Sequence, residues 1–166
     1  MATKENLAEA FAGESQASRK YLAFAKKAET DGFPQVAKLF RAASEAETVH
    51  AHAHLRAMHG VKATVENLQA AVEGESHEFE VMYPKFIGEA KAENDTGALA
   101  SFTFANAVER IHHGLYSAAL AAVSMGKDLP AQSMWVCSVC GNTVGGACPE
   151  KCSVCGVGKD KFAEIK

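Results

Sequence analysis

Two stretches decide how this chain folds: FRAASEAETVH, residues 40–50, and FTFANAVERIH, residues 102–112. Phe40, Ala43, Glu47 and His50 in the first match Phe102, Ala105, Glu109 and His112 in the second at the same intervals. In an α-helix, residues three or four apart stand on one face, so each set lines a single helical stripe. A strand would send Glu47 and His50 to opposite faces.

Outward from these stretches the repetition continues. Glu5-Asn6-Leu7, Ala10 and Gly13-Glu14-Ser15 recur as Glu66-Asn67-Leu68, Ala71 and Gly74-Glu75-Ser76, an offset of 61–62 residues. The chain therefore reads as a duplicated helical hairpin, which packs as a four-helix bundle with an approximate two-fold axis. Helices are expected over 3–29, 35–59, 65–93 and 97–125, broken at Asp31-Gly32-Phe33-Pro34, Gly60, Asp95-Thr96-Gly97 and Gly126 to Pro130. Pro84 falls inside the third span and is expected to kink it. Thr3 with Asn6, and Thr64 with Asn67, stand where caps or first-turn residues belong.

The 166 residues include 17 Lys and Arg, 20 Asp and Glu, and five cysteines. A net charge of −3 provides no basic field for nucleic acid or an anionic membrane. No uncharged run approaches the ~20 apolar residues of a membrane span, and the charged N-terminus does not read as a secretory signal. A cytoplasmic protein is expected. All five cysteines lie from Cys137 to Cys155, whereas 29 of 31 alanines lie in residues 1–133. The expected organisation is a mainly α bundle over 1–130, a linker over 126–133 and a small four-cysteine metal domain over 134–166.

The stripes that should face the core carry acids. They run Leu7, Phe11, Glu14, Ser18, Tyr21, Ala25, Ala28; then Val36, Phe40, Ala43, Glu47, His50, His54; then Leu68, Val72, Glu75, Glu78 or Phe79, Met82; and Phe102, Ala105, Glu109, His112, Tyr116, Ala119, Val123. A buried unpaired carboxylate costs several kcal/mol, and five together repel one another. No stripe contains Lys or Arg, so the cations must be metal ions. One Glu from each of two helices plus Glu-x-x-His from each of the other two is the donor pattern of a di-iron or di-manganese carboxylate site, though zinc can take the same ligands. A single Glu-x-x-His is common on solvated helices; two copies on apolar stripes, matched by Glu14 and Glu75, are not. Gly13 and Gly74, costly in mid-helix, suggest close helix approach beside a ligand. Residues 1–133 carry 13 basic and 17 acidic groups, and giving five carboxylates to metal leaves 13 against 12.

Cys137-Ser138-Val139-Cys140-Gly141 and Cys152-Ser153-Val154-Cys155-Gly156 are one pentapeptide used twice. Each forms a knuckle presenting two thiolates, and four thiolates suit iron or zinc. Cys148 stands outside both knuckles and is expected to be a free thiol.

With GES and a tyrosine on the first helix, EAExxH on the second, GExxExxxMYP on the third, ExxH on the fourth and a CxxCG…CPxxCxxCG tail, the chain resembles the rubrerythrin family over nearly its whole length. The resemblance implies a ferritin-like bundle with a non-haem di-iron centre on Glu14, Glu47, His50, Glu75, Glu78, Glu109 and His112. It also implies a rubredoxin-like domain with one iron on Cys137, Cys140, Cys152 and Cys155, and places Tyr21 and Tyr83 beside the carboxylates. Glu78 and His50 match family residues that exchange as ligands of one iron. The implied activity is a peroxidase reducing hydrogen peroxide to water, its electrons coming from rubredoxin or an NAD(P)H-dependent reductase. A ferroxidase or iron-handling protein would share the bundle without needing the tail. A zinc-ribbon interaction module would explain the tail but not the acids.

One feature departs from the resemblance. In the family the second and third helices run parallel, yet only 25 residues separate His50 from Glu75. The climb needed is about 30 Å, whereas Gly60 to Thr64 reach ~17 Å. A helix-swapped homodimer is expected, each bundle taking residues 1–59 from one chain and 65–125 from the other.

Overall fold

The computed structural model describes residues 2–166, and the chain divides into two compact units, 1–62 and 63–166. The first is a helical hairpin of α1 (Ala2–Thr30) and α2 (Pro34–Ala57). The turn Asp31-Gly32-Phe33 closes it, with the Phe33 N–H donating to Ala28 O at 2.8 Å and Pro34 starting α2 where its missing N–H costs nothing.

Small residues set the contact between the two helices. Ala37, Ser44 and Ala51, spaced by seven on α2, are buried, as are Ser18, Ala25 and Ala28 on α1. Such a seam lets the backbones approach closely, and its polar members satisfy each other. Ser44 Oγ donates to Ser18 O at 2.9 Å, and Ser18 Oγ lies 2.9 Å from Thr48 Oγ1. The face of α2 that packs on α1 therefore lies about one residue from the expected Val36-Phe40-Ala43-Glu47-His50 stripe. Val36 and His50 are exposed, and Glu47 sits half-buried at the edge of the seam.

The second unit holds α3 (Thr64–His77), a π-turn (Glu78–Met82), α4 (Tyr83–Glu93) and α5 (Thr96–Ser124), followed by a small sheet. Its third helix forms as one run, and the disturbance expected at Pro84 takes the form of the π-turn. The Tyr83 N–H donates to Glu78 O, five residues back. The wider turn relieves the clash of a proline ring with the preceding helical carbonyl. The internal repeat registers the same event. The offset is 61 residues up to Ser15 and Ser76, but 62 from Tyr21 and Tyr83 onward, so the second copy carries one extra residue across the π-turn. Aromatic trios repeat at the new offset. Phe40 lies 6.0 Å from Tyr21 and 5.6 Å from Phe24, and Phe102 lies 6.2 Å from Tyr83 and 5.5 Å from Phe86, between ring centroids.

The Asp95 carboxylate caps α5, accepting the Ala98 N–H at 2.9 Å. Beyond α5, β1 (Met134–Cys137) pairs antiparallel with β2 (Thr143–Gly145) on one side and β3 (Phe162–Ile165) on the other. The order β2-β1-β3 holds the two cysteine knuckles at one end of the sheet. Thr64 is the first residue of α3, whose cap position is Ala63, and Tyr116, expected inward, is 39% exposed.

Candidate metal centres

The hairpin of the first unit brings three predicted ligands together. Glu14 on α1 meets Glu47 and His50 on α2, with donor atoms all within 4.8 Å of one another. His50 Nδ1 lies 3.0 Å from Glu47 Oε2 and 4.0 Å from Glu14 Oε1. The second unit repeats the arrangement atom for atom. His112 Nδ1 lies 2.8 Å from Glu109 Oε2 and 3.7 Å from Glu75 Oε1.

These acids crowd without a counter-charge, since among the described residues no Lys or Arg is paired with them. A shared proton with Glu47, then burial, raises the pKa of Glu14, and the same hydrogen bond together with His50 lowers that of Glu47. Burial, then the negative charge of Glu109, pushes Glu75 up to about 7. A divalent cation relieves both penalties, so the donor set fits the metal ions the sequence calls for.

Glu78 stands in the π-turn, outside the tight Glu75–Glu109–His112 group. Burial and Glu109 raise its pKa. Tyr83 faces the same acids: burial first, then Glu78, Glu109 and Glu75, raise its pKa, so its oxygen keeps its hydrogen at neutral pH. Tyr21 is half-buried among Phe24 and Phe40. Among the described residues the expected crowding at Gly13 and Gly74 is absent, because a Cβ at either would meet nothing within 4 Å. Both lie on open helix surface, away from the small-residue seam. Of the remaining histidines, His54 is half-buried and His52, His59 and His77 are exposed, while His113 packs edge-on against Phe79.

The four knuckle cysteines converge as expected, with Cys137 Sγ 3.7 Å from Cys155 Sγ and Cys140 Sγ 3.6 Å from Cys152 Sγ. A tetrahedron with metal–sulfur bonds of about 2.3 Å has edges of about 3.8 Å, so the spacing fits one tetrahedral ion. Gly141 and Gly156 take φ of +84° and +77°, the left-handed turn that closes each knuckle. Burial drives the Cys140 thiol up to about 12. At Cys152 burial also raises the pKa, but N–H donors from Cys155, Val154 and the Asn142 side chain outweigh it, bringing it to about 6. Cys148 is a free thiol outside the group.

Two residues that sequence reasoning missed adjoin the first knuckle. Asn142, 1% exposed, donates from Nδ2 to Cys152 Sγ at 3.5 Å. Thr143 Oγ1 lies 2.9 Å from His112 Nε2. Neither residue type marks a metal site, and the only available signal was their place directly after Cys140-Gly141.

Paired Glu-x-x-His helices with partnering glutamates define a ferritin-like carboxylate protein suited to two non-haem irons, here joined to a one-iron tetrathiolate tail. A family model described as rubrerythrin matches residues 5–120, and one described as the rubrerythrin rubredoxin-like domain matches residues 135–163. The chain belongs to the rubrerythrin family. It is 33% identical to Rubrerythrin-2 of Clostridium acetobutylicum, over 96% of this chain and 95% of that protein. It is 34% identical to nigerythrin of Nitratidesulfovibrio vulgaris, over 96% and 85% respectively. A structure of partially reduced nigerythrin superposes with a TM-score of 0.59 at 32% identity, covering 98% of this chain and 86% of the other. No helix among the described residues is long and apolar enough to cross a membrane.

Proposed function

We propose that this chain is a peroxidase that reduces hydrogen peroxide to water, acting in the cytoplasm against oxidative stress. One observation carries the reading: acid–histidine triads without neutralising side chains share a chain with a four-thiolate site. A pure iron store has no use for the second feature. The proposed ligands are Glu14, Glu47, His50, Glu75, Glu78, Glu109 and His112 in the bundle domain, residues 1–130. Cys137, Cys140, Cys152 and Cys155 serve the tail domain, residues 134–166, with 126–133 as linker. When bound, the iron pair supplies the two electrons that peroxide needs, and the tetrathiolate iron restores them one at a time.

The protein's own groups do the rest. Glu14, Glu47, Glu75 and Glu109, with His50 and His112, would hold the metal ions, and Glu78, on its widened turn, would add a further carboxylate. Tyr83 stays a phenol and would donate a hydrogen bond toward the carboxylates, and Tyr21, at the matching position, would do the same in the other half. Reduction consumes two electrons and two protons and yields two waters. The electrons enter from rubredoxin or an NAD(P)H-dependent reductase. A second copy completes each centre in a helix-swapped dimer. This is supported by the short 58–63 connection and by Phe24, Phe33, Val36, Leu39 and Val49 of the first hairpin, which are 44–67% exposed.

The test starts from colour. Iron-loaded protein should be red from its ferric tetrathiolate; reductant should bleach it and peroxide restore it. Glu47→Ala should slow that return by at least the 10–100-fold that follows loss of a ligand's partner. Unchanged peroxide turnover in Glu47→Ala, or a colourless zinc-filled tail in the native protein, would overturn the reading.

A further inference from the structure

The tail rests on α5 beside the second triad. A side chain at Gly141 would meet Val108 Cγ1 at 3.9 Å, and Val108 is 2% exposed. One helical turn along α5 is His112, whose Nε2 lies 2.9 Å from Thr143 Oγ1. The same hydroxyl lies 3.2 Å from the Gly141 carbonyl oxygen.

His112 Nδ1 shares a hydrogen with Glu109 at 2.8 Å unless a metal ion takes its lone pair; with a metal ion there, counting hydrogens leaves one arrangement. The Gly141 carbonyl only accepts, so the Thr143 hydroxyl donates to it. The hydroxyl lone pairs then accept, and His112 Nε2 must carry the hydrogen. A neutral imidazole with its hydrogen on Nε2 presents Nδ1 as a bare lone pair. Nδ1 is the atom turned toward Glu109 and Glu75. We infer that Thr143 is a positioning residue for His112, holding its ring in the tautomer and orientation that a metal ligand requires, from the tetrathiolate domain rather than from the bundle. The inference rests on the assignment of Glu75, Glu109 and His112 as ligands.

The surroundings favour such a bond. A groove of about 360 Å³ beside it is lined by Leu68, Leu115, Ala119, Leu129 and Met134, and hydrogen bonds strengthen where water is scarce. The other half is held differently: the His50 side chain is 55% exposed, against 26% for His112. Asn142 and Thr143 are consecutive, so one short segment bonds both Cys152 sulfur and His112.

Thr143→Val removes the hydroxyl at nearly constant shape, and Thr143→Ser keeps it. Full-length protein stripped of metal is titrated anaerobically with ferrous iron against a chelator, with the red tetrathiolate absorbance reporting an intact tail. Thr143→Val should bind bundle iron about 10–100-fold more weakly, while Thr143→Ser stays close to the native protein. In the zinc-loaded native protein, ¹⁵N-histidine NMR should place the His112 hydrogen on Nε2. Native affinity in Thr143→Val, or equal weakening in both variants, overturns the inference. A native His112 ring with its hydrogen on Nδ1 overturns it whatever the variants do. Native protein that takes no iron in the bundle would instead remove the ligand assignment itself.

Discussion

Asn142 shows how one side chain can set the energetics of a metal site. Its amide donates to a thiolate sulfur from a position that water does not reach. Such a bond strengthens as negative charge builds on sulfur, and the reduced centre carries more of it. Asn142→Leu should therefore lower the reduction potential of the tetrathiolate iron, on the order of tens of millivolts for a bond whose strength changes by about 1 kcal/mol; a spectroelectrochemical titration measures it. Ser44 is the structural counterpart in the first hairpin. Ser44→Ala strips a donor from the buried Ser18 carbonyl and should cost about 1 kcal/mol in urea unfolding. The candidate ligands were legible, because acids on an apolar stripe contradict burial unless a cation is present. Asn142 and Thr143 were not, because their partners lie at Cys152 and His112, and hydrophobic period carries no information about such distant pairs.

Among the elements, the helices were readable almost to their ends, since Gly and Pro punctuate a strong apolar period. On α2 the face packed against α1 is one residue away from the Val36-Phe40 stripe, which the proposed dimer leaves for the second copy. Apolar size pointed to Val36 and Phe40, but the closest packing belongs to the small residues Ala37, Ser44 and Ala51. Enlarging that seam should be costly. Ala37→Leu, at a position with 0% exposure, is expected to destabilise the protein by about 1–3 kcal/mol, measurable as a lower unfolding midpoint. The π-turn is the other element on which the proposed site depends. Deleting Val81 removes one residue from the widened turn and should let an ordinary α-helical register pass through it. Helical content by circular dichroism should hold, while bundle iron binding falls as Glu78 rotates away from the acids.

At the scale of the whole molecule, each compact unit owns one acid–histidine triad, and this gives the helix swap a decisive test. One chain carries Glu14→Ala with Glu47→Ala, and another carries Glu75→Ala with Glu109→Ala. Neither alone should turn over peroxide. Coexpressed, swapped heterodimers contain one bundle built wholly from native halves, so random pairing should restore roughly a quarter of native activity. If each bundle came from a single chain, the mixture would stay inactive. The duplication behind this symmetry was plain in the sequence, whereas the seat of the tail on α5 was not, because that contact joins Gly141 to Val108, residues far apart in the chain. The unequal offset of the two halves also dates events in the history of the gene. The two copies differ in length by one residue across the π-turn, so the doubling of an ancestral hairpin came first and the single-codon change later.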